Sequence, residues 1–198
     1  MSREGRGVVG EFPLSKSERQ LVTAFWATQG DGNAFVRCLF LRLFRTLPRL
    51  TARRPPAATA QKGGSRLLQK LFSCEGFLAS GARFEDWPKL GRHMAGFLNY
   101  LTIILKALEH GGEMEAMALR RLEAVGAYHA RMVPQMQPTY WNVMVEAILD
   151  TVQEDCHDSA SNKRLVDAWR ALLNFTVARM KIGYQQQRST SSSSSTAS

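Results

Sequence analysis

No run of about 18 or more apolar residues occurs in the 198-residue chain, which excludes a membrane-spanning helix. The first residues, Met1-Ser2-Arg3-Glu4-Gly5, lack the apolar segment of a secretory signal and the second-position glycine that N-myristoylation requires. Cysteine is scarce. Cys38, Cys74 and Cys156 are too few and too scattered for a disulfide framework or a zinc site, so a reducing, cytoplasmic location is expected. Acid is missing from one region: between Asn33 and Cys74 stand nine basic residues (Arg37, Arg42, Arg45, Arg49, Arg53, Arg54, Lys62, Arg66, Lys70) and no Asp or Glu. The other 17 of the 26 basic residues face 17 acids, so the net charge of +9 is a single local patch. Such a patch is a solvated surface or a place for an anionic partner, and the chain-wide charge that would point to nucleic acid is not there. Strand alternation and internal repeats are absent as well.

What remains is helical periodicity. The chain length suits one domain with a sizeable core, and 44% hydrophobic with 22% charged residues is ordinary for a globular protein. Residues 1–13 carry no periodicity and read as a flexible arm. Ser15-Lys16-Ser17-Glu18 has the spacing of a capping box and starts a helix whose apolar edge is Leu21, Val22, Phe25 and Trp26. After a Gly30-Asp31-Gly32-Asn33 turn, Val36, Leu39, Phe40, Leu43, Phe44 and Leu47 mark a second helix that Pro48 interrupts. Residues 51–66 (TARRPPAATAQKGGSR) hold no apolar residue larger than alanine and read as a long basic loop, either functional or disordered. Helical sequence returns from Leu67. A last helix, with Trp169, Leu172, Leu173, Val177 and Met180, is expected to stop near Gly183-Tyr184. The low-complexity tail, residues 185–198, is expected to be disordered. The expected class is all-α, with a folded domain over residues 14–184.

Two helices between Trp87 and Pro134 carry the chemistry. On the first, Leu90, His93, Phe97, Leu101, Ile104 and Leu108 share one face; on the second, Ala118, Leu122, Val125 and His129 do. Gly111-Gly112 joins them. Either histidine alone reads as a hydrogen-bonded core residue. Two of only four histidines, each inside an apolar stripe of neighbouring helices, suit a flat, apolar, metal-centred group held between them. The second ring nitrogen of such a ligand needs an acceptor, and for His129 the carbonyl of Val125, one turn earlier, is expected to serve.

The order of these features resembles the globin family. Leu14-Ser15-Lys16-Ser17-Glu18-Arg19-Gln20-Leu21-Val22 through Trp26 is similar to the first globin helix, and Pro48 falls where the short third helix has its proline. His93, followed one turn on by Phe97, falls at the distal position. Leu122-Glu123-Ala124-Val125-Gly126-Ala127-Tyr128-His129 resembles the approach to the proximal histidine. The segment from Trp169 to Tyr184 looks like the final helix of neuroglobin-like, invertebrate members. The resemblance covers residues 14–184 and implies a three-on-three helical sandwich, here with an extended loop between the third and fourth helices. Two departures stand out. Arg53-Arg54-Pro55 occupies the place of the usual haem-stacking phenylalanine, which shifts that role to Phe72, and the spacing from His93 to His129 is longer than usual.

The resemblance implies haem b as cofactor, His129 as the proximal iron ligand and His93 as the distal residue. His93 either hydrogen-bonds a diatomic ligand or binds the iron itself as a sixth ligand, and direct binding is the preferred expectation. Phe40 and Phe97 on the distal side, Leu101, Val125, and Val133, Met136, Tyr140 and Val143 on the proximal side, are expected to line the group; each also reads as ordinary core. The same resemblance raises a redox-sensitive bridge between Cys38 and Cys74 beside the alternative of isolated thiols. It implies binding of O2, NO or CO, with an electron-donating reductase as a partner and no membrane. A six-coordinate protein suits sensing, NO and nitrite chemistry or peroxide removal, whereas a five-coordinate one suits oxygen storage and transport. The alternative from a different class is a haem-free helical interaction module that binds an anionic partner through residues 33–74.

Overall fold

The first helix forms because Ser15 caps it. Ser15 Oγ accepts from the Glu18 N–H (3.3 Å), and the Ser15 N–H donates to Glu18 Oε2 (2.7 Å), so both halves of the capping box are made. These bonds, the one from the Ser15 side chain first, hold the Glu18 carboxyl below its usual range. The cap is therefore whole at neutral pH and is lost as pH falls through the carboxylate range. The computed structural model describes residues 11–52, 88–133, 136, 138–155 and 159–193. Among them are six helices and no strand: α1 (Lys16–Ala27), α2 (Asn33–Ala52), α3 (Pro88–His110), α4 (Gly112–Met132), α5 (Pro138–Asp155) and α6 (Ser159–Ser193). Among the described residues, no helix is long and apolar enough to cross a membrane.

The helices divide into two units. α2 and α3 as far as Leu101 form one; α1, the rest of α3, and α4 to α6 form the other. In the first, Asp31 starts α2 by accepting the Asn33 N–H (2.9 Å), and Phe35, Val36, Leu39, Phe40, Leu43, Leu90 and Leu101 are buried. In the second, α6 is the central strut and packs on α4, α5 and α1. Its Trp169, fully buried, meets Phe25 of α1 edge to face at 6.1 Å.

Three expectations are corrected. The chain ahead of α1 is not all loose arm: Phe12 and Leu14 are buried, and Phe12 stacks edge-on against Phe175 of α6 at 5.5 Å. Helix α2 does not break at Pro48 but runs on to Ala52, so the first two residues of the expected 51–66 loop are helical. Proline removes one backbone donor there, and the flanking leucines and arginines favour helix enough to continue it. The last helix does not stop at Gly183-Tyr184 but continues through Ser193, into the tail expected to be disordered. Gly183 is a crossing point and not a helix terminator: a Cβ on it would overlap the Glu123 carbonyl oxygen of α4. Beyond it Ser189, Thr190 and Ser191 bond back to the carbonyls of Gln185, Gln186 and Gln187. Phe72, Cys74 and the rest of the expected insertion lie outside the described residues.

Candidate functional site

His129, expected on the proximal side, is carried by α4. Gly111 and Gly112, at φ +65° and +52°, take the left-handed conformation that ends α3 and begins α4 within two residues. The first turn of α4 is then anchored by a buried carboxylate. Glu115, 3% exposed, accepts from Arg19 Nη1 (2.9 Å) and Nη2 (3.1 Å) and from the Phe12 N–H. Arg19 also holds the carbonyls of Leu14 and Phe12 (3.2 Å each). Its fork and the Glu115 carboxylate thus satisfy one another and the chain entering α1. Removing the charge leaves the guanidinium poorly matched. Glu115→Gln is expected to lower unfolding free energy by about 2 kcal/mol, the scale of a hydrogen bond to a charged group, as urea unfolding would measure.

The far end of α4 is clamped by α6. A Cβ on Gly126 would overlap the Met180 carbonyl oxygen, as one on Gly183 would overlap that of Glu123, so the two backbones touch at both crossings. Arg179 pairs with Glu123 (3.4 Å), and Arg131 donates to Gln187 (2.9 Å). Tyr184 Oη donates to the carbonyl of Val133 (3.1 Å), the residue that caps α4 by donating to His129 O (2.7 Å).

His129 sits in this clamped segment, half-buried. Its Nδ1 lies 2.8 Å from the carbonyl of Val125, the acceptor expected from the sequence. A carbonyl only accepts, so Nδ1 carries the proton and Nε2 the lone pair. Desolvation by burial pushes the His129 pKa below its usual value, against the opposing bond to Val125, and so favours neutral imidazole. A neutral ring with its proton fixed on one nitrogen is the form that ligates a metal. On α5 the ring that meets His129 is Trp141, buried, at 5.6 Å and 59°. The sequence pointed instead to its neighbour Tyr140 and to Val143, which are half-buried, as are Val125, Val133 and Met136.

The residues expected on the distal side belong to the other unit. Phe40 of α2 is buried, and its ring stands edge-on to two residues one helical turn apart on α3: His93 at 5.6 Å and Phe97 at 5.9 Å. The sequence singled out all three for the distal side, and Leu101, one turn further along, is buried as well. Phe72 is outside the described residues.

The surroundings of His129 fit a haem better than a bare ion. Among the described residues no three His, Cys, Asp or Glu side chains cluster as ligands for a metal on its own. One neutral imidazole in aromatic and aliphatic surroundings suits an iron that arrives with its equatorial ligands already in place. Sequence reasoning missed Trp141, the Glu115–Arg19 pair and the meaning of Gly126. Of these only Gly126 left a signal, because a glycine inside a helix costs about 1 kcal/mol relative to alanine and needs a packing reason.

Comparison with known families agrees with this reading. The Globin family profile matches residues 68–180, more than half of the chain, and of the candidate site residues only Phe40 lies outside the matched span. No curated protein matches the chain. The chain belongs to the globin family, and its all-α architecture is the globin fold.

Proposed function

We propose that the chain holds haem b through His129 and that His93 would be a second ligand to its iron, so that diatomic gases would bind in competition with the protein's own histidine. When bound, haem supplies an iron centre for O2, NO or CO and for one-electron chemistry. The observation that carries the proposal is the bond from His129 Nδ1 to Val125 O, which fixes the tautomer and rotation that proximal ligation requires. His129 is the structural ligand, because α4 is anchored at Glu115 and clamped by α6 at Gly126 and Val133. His93 is the exchangeable one. Phe40 stands edge-on to its ring and to Phe97, and neither phenylalanine supplies a hydrogen-bonding group.

Gas affinity is then the intrinsic affinity multiplied by the fraction of molecules in which His93 has moved aside. This suits sensing, or NO, nitrite and peroxide chemistry drawing on an electron-donating reductase, better than oxygen storage. The ferric protein at neutral pH tests the ligation. A low-spin bis-imidazole spectrum is expected, converting to high-spin in His93→Leu. A high-spin, water-bound wild type, or a variant spectrum identical to wild type, would assign the chain to five-coordinate storage or transport instead.

A haem-free module is the second reading, favoured by the acid-free basic stretch from Asn33 to Cys74, of which Arg37 is exposed. It requires purified protein that takes up no haem and binds an anionic partner unchanged by His129→Ala.

A further inference from the structure

The last turns of α6 carry three exposed hydroxyls, each donating to a backbone carbonyl: Ser189 to that of Gln185 (3.0 Å), and Thr190 and Ser191 to that of Gln187 (2.9 Å each). Arginines flank this stretch. Arg188 precedes Ser191 by three residues, which on a helix puts both on one face. Arg131, exposed in the last turn of α4, donates from Nη1 to the side-chain oxygen of Gln187 (2.9 Å), one turn before Ser191. Acid is absent: from Ala168 to Ser198 the chain holds Arg170, Arg179, Lys181 and Arg188 and no Asp or Glu. The end of α6 is thus a place where an added anion finds arginine and no carboxylate of its own segment.

We propose that Ser191 is a phosphorylation site, read by a serine kinase through Arg188, and that Arg131 of α4 receives the phosphate. The Ser191 hydroxyl oxygen attacks the γ-phosphorus of ATP, the bond to the bridging oxygen of ADP breaks, and the hydroxyl proton passes to the base of the kinase. Arginine three residues before the acceptor is the spacing that basophilic kinases read. Among the serines and threonines from Ser189 to Ser198, Ser191 alone has it. Ser191 is also two residues from the end of α6 at Ser193, where the last carbonyls have no helical donor and local unwinding costs least.

Two effects oppose the phosphate once it is attached. The seryl oxygen no longer donates to the Gln187 carbonyl, and a group of nearly two negative charges faces the negative end of the helix dipole. Against them stand the forked, charge-assisted bonds that a guanidinium makes to phosphate, from Arg188 on the same helix and from Arg131 on α4. Arg131 already reaches this part of α6 for a neutral amide oxygen, so an anion one turn further on asks little movement of it and strengthens the link. The modification therefore locks α4 to α6 at the turn that carries His129, whether or not a haem is held.

The full chain incubated with ATP and calmodulin-dependent kinase, which reads that spacing, provides the test. Mass-spectrometric mapping is expected to place the phosphate on Ser191, and Arg188→Gln is expected to abolish its incorporation. Amide hydrogen exchange then reads the lock. The amides of Ala130, Arg131 and Met132 are expected to slow by roughly fivefold on phosphorylation of the wild type, and not at all in Arg131→Gln, which is still phosphorylated at Ser191. A phosphate mapped to another residue, or no incorporation, overturns the site. Exchange that is unchanged or faster in phosphorylated wild type overturns Arg131 as the receiver.

Discussion

Replacing His129 with alanine is expected to abolish stable haem retention, and adding imidazole to the variant is expected to restore much of it. The protein contributes three things at this position: a nitrogen lone pair, a fixed proton on the other nitrogen, and a rigid helix that holds the ring. Alanine removes the first two and leaves the third, because it is the best helix former and the anchors of α4 lie elsewhere, at Glu115, Gly126 and Val133. Groups that hydrogen-bond to a metal ligand are worth about 10–100-fold in affinity, so loss of the ligand itself should exceed that range. Retention is measured by transfer of haem to an excess of apomyoglobin. The space left under Trp141 and above Val125 has the shape of the missing ring, which is why free imidazole should occupy it. A variant that holds haem as firmly as wild type would remove His129 from the coordination sphere.

The second large effect concerns the crossing of α4 and α6. Gly126→Ala is expected to destabilise the protein by about 3 kcal/mol or more, at or beyond the upper end of the overpacking range. The new methyl group would meet the Met180 carbonyl, and a backbone atom inside a helix cannot turn aside as a flexible side chain can. Gly96 on α3 provides the internal control. A Cβ there meets nothing within 4 Å, so Gly96→Ala should gain up to about 1 kcal/mol from helix propensity alone. The same chemical change is thus expected to have opposite signs at two helical glycines, as thermal or urea unfolding would read. Equal effects at both positions would mean that the close approach of the two backbones is not what Gly126 serves. Because His129 is one turn beyond Gly126, displacement of α4 in this variant should also hasten haem loss.

Features set by local chemistry were legible in the sequence. The capping box at Ser15 needs only residues three apart, and the His129–Val125 bond only residues four apart. The stripe of Leu90, His93, Phe97 and Leu101 followed from helical period, whereas the grouping of Phe40 with the distal residues was implied by the resemblance to globins. What was not legible depends on partners remote in the chain. Glu115 meets Arg19 and Phe12 across separations of 96 and 103 residues, and nothing around Glu115 distinguishes it from a surface acid of a first helical turn. Gly183 has the composition of a helix end, and only the carbonyl of Glu123 lying against it shows why the helix passes through. Tyr140 and Trp141 differ by one residue, which on a helix is about 100° of rotation, more than a period argument can resolve at a helix start. Which of them faced His129 was a matter of packing.

The central claim is that this chain is a haem protein ligated through His129. Titration of the apoprotein with ferric haem, followed at the Soret band, tests it most directly. The account predicts a sharp break at a single haem per chain, with a band displaced from that of haem in buffer, and no such break for His129→Ala. A wild-type titration that rises without a break, and whose spectrum is that of haem in buffer throughout, would contradict it.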